Sequence, residues 1–201
     1  MKLKILTSFA LAAAINTGAQ AGVVFQDNFD AEGPVGTSLL NYTSFTNWSV
    51  DEGFVDLVSN GDYGINCAGG LGKCVDLDGS KNNAGTFNSN RFILAAGNYS
   101  LSFDISGNQR GSAADSMMVT LGGLINESFT LSAGDPWQTV IRSFTVASDM
   151  TDFISFNHDG KDNIGIMLDN VSVSAVPEPG TLALLGLGLV GLGAARRRQK
   201  A

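Results

Sequence analysis

Three stretches of the 201-residue chain carry side chains whose types and spacing can do chemistry. The first is Gly186-Leu187-Gly188-Leu189-Val190-Gly191, with the G-x-G-x-x-G spacing of a dinucleotide-binding loop. Such a loop needs a buried strand before it, a helix opening on it within a longer βαβ unit, and an acidic residue about 20 positions on. Here Gly191 is followed by the cations Arg196, Arg197, Arg198 and Lys200, so the cofactor reading fails on context. The second is the pair Cys67 and Cys74 in CAGGLGKC. His158 is the only histidine, which leaves too few thiol and imidazole groups for a zinc site. In an exported protein the pair reads as one disulfide closing a glycine-rich loop. The third is the acidic stretch VDLDGS, residues 75–80. An EF-hand loop needs glycine at its sixth position and glutamate at its twelfth. Counted from Asp76, glycine comes fourth and the twelfth residue is Phe87, so a strand ending in a turn at Asp78-Gly79 is expected instead. HDGKDN, residues 158–163, reads as an acidic loop between strands. A Ser/His/Asp triad would have to use His158 in that loop, and no G-x-S-x-G elbow exists. Glycosidase chemistry needs two carboxylates flanking a cleft, for which Glu32, Asp51-Glu52 and Glu127 are the acids that stand out. The expectation is a protein that is not an enzyme.

The glycines at 186 to 193 belong to a different device. Thr181 to Ala195 carries no charge, and its glycines permit close helix contact in lipid. The stretch is short for a spanning helix, which needs about 20 apolar residues. The basic cluster after it keeps that end cytoplasmic by the positive-inside rule. Pro177-Glu178-Pro179, a short apolar transmembrane helix and a basic tail, in that order, resemble the PEP-CTERM sorting signal of exosortase systems in Gram-negative bacteria. The resemblance covers residues 176–201. It implies that an exosortase-type membrane protease recognises Pro177, Glu178 and Pro179 and removes the tail. The chain then passes through an inner-membrane intermediate to the cell surface or extracellular matrix. The other end agrees: Lys2 and Lys4, an apolar run from Ile5 to Ile15, and Ala19-Gln20-Ala21 read as a signal peptide cleaved after Ala21. The expected organisation is a signal peptide (1–21), a body (22–176) and a sorting signal (177–201).

The body is strongly acidic. Six of the 12 basic residues and one of the 19 acidic residues lie in the two end segments, which leaves the body with 18 acids against 6 cations. A net −12 disfavours nucleic acid and anionic membranes. Apolar residues come in short alternating runs. YSLSFDIS puts Tyr99, Leu101, Phe103 and Ile105 on one face, and SMMVTL groups Met117, Val119 and Leu121. SFTV (143–146) and FISF (153–156) repeat the pattern. With Gly, Asn and Asp between the runs, the fold class is all-β: a single antiparallel β-sandwich of jelly-roll type with roughly nine or ten strands. In NIGIMLDNVSVSAV the apolar phase shifts from Ile164, Ile166 and Leu168 to Val171, Val173 and Ala175. A strand keeps its faces with period two, so the flip requires an inserted residue or burial on both faces. The first reading places a β-bulge at Asp169-Asn170.

VVFQDNFDAEG (23–33) and LDNVSV (168–173) resemble segments of galactose-binding-like jelly rolls found among carbohydrate-binding modules. The resemblance is confined to the two ends of the body. It implies that the first and last strands lie close together and hold a structural calcium ion, carried over to Asp27, Asp30 and Asp169. VDLDGS, Gly97-Asn98-Tyr99, SGNQRG (106–111) and LDNVSV also resemble a recurring type of PEP-CTERM exported protein, which implies architecture and location. Sugar binding needs aromatic faces and planar hydrogen-bonding groups. Trp48, Trp137, Tyr42 and Tyr63 are the aromatic candidates, and Arg110 either pairs with a carboxylate or contacts an anionic sugar. The expected function is association with extracellular polysaccharide. The alternatives are a structural matrix protein without a ligand, or a glycan hydrolase.

Overall fold

The alternation in YSLSFDIS becomes a strand whose Leu101, Phe103 and Ile105 are buried and whose Ser100, Ser102 and Asp104 are half-buried on the other face, while Ser106 at its end is buried. The computed structural model describes residues 22–111, 113–160 and 162–177, together with 188, 191 and 196. The strands in chain order are β1 (Val23–Asp27), β2 (Leu39–Tyr42), β3 (Trp48–Asp51), β4 (Val55–Ser59), β5 (Lys73–Asp76), β6 (Thr86–Ser89) and β7 (Phe92–Leu94). They continue with β8 (Gly97–Ser106), β9 (Ala114–Leu121), β10 (Ile125–Ser132), β11 (Gln138–Val146), β12 (Met150–Asp152), β13 (Ile154–His158) and β14 (Met167–Ala175). Fourteen strands among the described residues exceed the nine or ten expected. The surplus is in pieces of three or four residues, such as β7 and β12, too short to show a period of two. FISF is itself interrupted: Phe153 falls between β12 and β13.

One sheet runs β11-β8-β14-β5-β4-β2, with β1 added on β14. Besides a two-stranded pair of β7 and β12, the second large sheet runs β10-β9-β13-β6-β3. The two pack face to face as an antiparallel sandwich of the jelly-roll type, the arrangement expected when inner faces alternate with polar outer ones. Between the sheets, Phe103 meets Phe156 at 5.3 Å and Phe25 meets Trp48 at 5.4 Å, while Trp48 stacks on Phe87 of its own sheet at 4.4 Å. A separate small core holds Val58, Ile65, Cys67, Cys74 and Met167, with Trp137 packed against it. Cys67 and Cys74 are joined by a disulfide, with Cα atoms 5.4 Å apart.

The bulge lies where the phase flip placed it. Asp169 pairs with Asp104 and Ser172 with Ser102, so β14 carries one extra residue there. Asn170 takes it up at φ 50°, in the left-handed region that asparagine tolerates. The bulge sits at a fork: before it β14 pairs with β5, and after it with β1. Ala21 to Val176 forms a compact unit by itself. Glu178, Pro179, the signal segment with Ala21 and nearly all of the expected apolar helix lie outside the described residues. Among the described residues no helix is long and apolar enough to cross a membrane.

Candidate functional site: a loop groove and a carboxylate fork

Two loops at one end of the sandwich are stitched together by backbone hydrogen bonds. The N–H of Gly107 donates to the Asp135 carbonyl at 3.0 Å, and that of Gln109 to the Ala133 carbonyl at 3.0 Å. Gly107 has to be glycine, since a Cβ there would lie 2.0 Å from the Ser132 carbonyl oxygen. Asn108 shapes the first loop from below. Its Oδ1 accepts from the Arg110 and Gly111 N–H groups, and its Nδ2 donates to buried Asp115 at 2.8 Å. Asp135 closes the second loop by accepting from the Ser132 N–H at 2.8 Å. Between the loops is an open groove of about 430 Å³, lined by Ser106, Gln109, Arg110, Asp135, Pro136 and Trp137 among others. That is the volume range of ligand sites, about 300–1,000 Å³.

Trp137 is half-buried, with one side on the small core of Ile65 and the disulfide. Its indole N–H donates to the Asn66 carbonyl at 2.7 Å. Gln109 grips the same residue from both ends: its Nε2 donates to the Asn66 carbonyl at 3.0 Å, and its Oε1 accepts from the Asn66 N–H at 2.9 Å. An aromatic ring fixed in plane beside a held amide is the equipment for stacking on a sugar ring and reading its hydroxyls. Arg110 forms an ion pair with Asp76, which is fully buried. Burial pushes the Asp76 carboxyl well up, against the pull of the guanidinium and of N–H donation from Asp78 and Gly165. Pairing, one of the two expectations for Arg110, is therefore its role in the fold, while the same side chain lines the groove.

Trp48 does something else. It is 3 % exposed, stacked on Phe87 and edge-on to Phe25, and its indole N–H donates to Asp27 at 3.0 Å. The expectation that it contacts a ligand is corrected: both of its faces lie in the core.

The three aspartates expected to hold calcium do not converge. Asp27 Oδ1 accepts from the Phe29 N–H at 2.8 Å, and Oδ2 accepts from Asn47 and Trp48. It caps the end of β1 and anchors a core indole. Asp30 and Asp169 do act on each other. Asp30 Oδ1 accepts from the Lys73 N–H at 2.8 Å, so Asp30 ties the loop after β1 to the start of β5. Asp169 lies beneath, buried, accepting from the Ala68 and Asn170 N–H groups at 3.2 and 2.7 Å. Burial raises its pKa to about 7, and the negative charges of Asp30 and Asp104 push the same way. Asp104 is the residue that the sequence did not announce. It stands directly opposite Asp169 across β8 and β14, a like-charge pairing that is unfavourable without compensation. Among the described residues no three His, Cys, Asp or Glu side chains come together closely enough to hold a metal. Asp169 is buried and Asp30 is exposed, while Asp27 turns to a core indole. Beside the fork, a second groove of about 390 Å³ is lined by Gln26, Asp27, Asn28, Asn170, Val171 and Ser172.

Residues 175–198 match the family described as the PEP-CTERM protein-sorting motif. The chain carries a PEP-CTERM sorting motif. It is thus an exported protein, sorted through the membrane. No curated protein matches the sequence. Among solved structures, the chain is similar to a Clostridium thermocellum xylanase 10B fragment of CBM22-1 and GH10 modules in complex with xylohexaose. The identity is 14%, the TM-score 0.50, and the match covers 80% of this chain and 30% of that one. The CBM22-1 xylan-binding domain of Paenibacillus barcinonensis Xyn10C is 10% identical over 79% of this chain and 97% of its own, with a TM-score of 0.48. A family 35 carbohydrate-binding module from Clostridium thermocellum is 14% identical over 70% of this chain and 100% of its own, with a TM-score of 0.44. The exported body thus has the β-sandwich fold of carbohydrate-binding modules. The chain spans less than a third of the first of these structures.

Proposed function

We propose that the exported body binds extracellular polysaccharide without cleaving it, through the groove between residues 106–111 and 133–137. The observation that carries this reading is Trp137, held in plane by Asn66 and facing a groove that also presents Gln109, Arg110 and Asp135. The likeness to carbohydrate-binding modules supports it at the level of fold. An exosortase-type protease acting at Pro177-Glu178-Pro179 would release the body to the surface or matrix of a Gram-negative cell. A calcium ion would be held by Asp30 and Asp169, where it would neutralise a buried carboxylate and tie the end of β1 to β14. The competing reading is a matrix protein with no defined ligand.

The test is binding of the full chain to the producer's own exopolysaccharide, with calcium and with chelator. Saturable, competable binding is expected, and its absence in both conditions would favour the ligand-free matrix protein. Trp137→Ala is expected to raise Kd at least tenfold, which corresponds to about 1.4 kcal/mol. The melting midpoint should fall only slightly, because Trp137 is packed on one side alone. Isothermal titration on the variant and the parent chain reads both numbers. Equal affinities would remove the groove from consideration.

A further inference from the structure

The wall of the groove is made of chain that has few means of holding itself. Residues 60–72 form no strand and contain only two 3-10 turns. Gly61, Gly64, Gly69, Gly70 and Gly72 all sit at positive φ, and Tyr63 does as well. Glycine in such conformations surrenders more chain entropy on ordering than any other residue. Yet this segment supplies Asn66, whose carbonyl receives both the Trp137 indole and the Gln109 amide. Three ties fix Asn66. Gln109 brackets it through its N–H and carbonyl. Asn60 Oδ1 accepts from the Cys67 N–H at 2.9 Å, while Asn60 Nδ2 reaches the Gly70 carbonyl at 2.9 Å. The third is covalent: Cys67, the next residue, is bonded to Cys74 on β5, a strand central to its sheet. The same two cysteines are members of the small core on which Trp137 rests. The disulfide therefore works on the indole twice, through Asn66 and through direct packing.

We infer that the Cys67–Cys74 disulfide is a positioning device for the groove, so that the glycan site is assembled by oxidation after export and is loose in the reduced chain. This rests on the groove being the glycan site. Bond formation takes two electrons and two protons from the two thiols. A disulfide oxidant accepts them by exchange and leaves as two thiols, so an oxidised low-molecular-weight disulfide suffices in the tube. The compartment supplies the direction, since disulfides persist outside the cytoplasm and are reduced within it.

The chain has two tryptophans, and they report different things. Trp48 is buried in the main core and Trp137 lies at the groove. Acrylamide quenching of the full chain is measured oxidised, reduced by a phosphine, and reoxidised with glutathione disulfide, with thiols counted in each state. On reduction the quenching constant of the Trp137 component is expected to rise at least threefold while the Trp48 component stays shielded, and reoxidation restores the first value. The Cys67→Ala/Cys74→Val double variant refills the small core without the bond and is expected to behave as the reduced chain does. Glycan Kd in both is expected to rise at least tenfold. If Trp137 stays equally shielded when both thiols are titratable and in the double variant, the positioning role is wrong. Exposure of Trp48 together with Trp137 in both would also overturn it, because the groove would then have no separate switch. Quenching that changes as expected in a chain that binds no glycan in any state would leave the switch standing and refute the glycan reading alone.

Discussion

Arg110→Met will destabilise the fold by about 3–5 kcal/mol at neutral pH, the usual consequence of removing one partner of a buried ion pair. Asp76 is wholly buried, and Arg110 is its ion-pair partner among the described residues. Its other oxygen accepts from the Gly165 and Asp78 N–H groups at 2.8 and 3.1 Å. Those bonds fix the return of the chain into β14. Without the guanidinium, only the Asp78 and Gly165 N–H groups still offset the desolvation that holds the Asp76 carboxyl up, so its pKa moves higher still. A carboxyl raised above its unfolded value contributes most to stability at acid pH and loses that contribution as pH rises through the folded value. The loss from Arg110→Met should thus be larger at pH 8 than at pH 4. Arg110→Lys keeps the charge but not the planar fork, and should recover part of it. Combining Arg110→Met with Asp76→Asn should recover most, because asparagine retains the acceptor for Gly165 and Asp78 and carries no charge. Urea unfolding of the parent, Arg110→Met, Arg110→Lys, Asp76→Asn and the double variant at both pH values reads the cycle. Additive losses in the double variant would mean that the pair is not coupled and that Arg110 is free to serve a ligand alone.

What the sequence disclosed follows from which interactions are local. The inner faces of β8 and β9 were visible because alternation is written within one strand. The bulge was visible for the same reason, as the passage from Leu168 to Val171 breaks a period that a single strand must keep. Residue pairs brought together by register were not visible. Asp104 reaches Asp169 because β8 lies beside β14, and no pattern within either strand names its neighbour. The resemblance of the N-terminal segment points to Asp27, yet one of its oxygens turns to Trp48. The two tryptophans show the same limit. Asn47 and Ser49 flank Trp48, and Pro136 and Gln138 flank Trp137, so neither context marks burial, yet Trp48 opens β3 on the inner face while Trp137 precedes β11 in a loop. Asp78 looks like a turn acid, yet it and Asp76 at the end of β5 are fully buried, and the N–H groups of Asp162, Asn163 and Gly165 donate to them.

Asp169 makes the fork sensitive to pH, and the direction of that sensitivity separates an empty fork from a filled one. Its pKa of about 7 stands above the ordinary 3.8, mainly through burial and further through Asp30 and Asp104. Between those values the folded chain keeps a proton that the unfolded chain has lost. Stability from this group is therefore fully present below about pH 4 and is lost as pH rises to 7, by at most about 4 kcal/mol. Asp115, also raised by burial, adds to the same slope. His158 opposes it: burial lowers its pKa, so its contribution is lost as pH falls below its ordinary 6.5. Asp169→Asn removes the Asp169 part alone, so the variant should gain on the parent steadily from pH 4 to pH 7.5. Calcium should do the same without mutation. A cation beside Asp30 and Asp169 favours the ionised form, so added calcium should raise the midpoint more at pH 7.5 than at pH 5, and by about 2.7 kcal/mol at 100 times its Kd. In Asp169→Asn that gain should shrink. Should calcium and chelator leave the same midpoint at both pH values while the slope persists, the fork holds a proton and not the metal proposed for it.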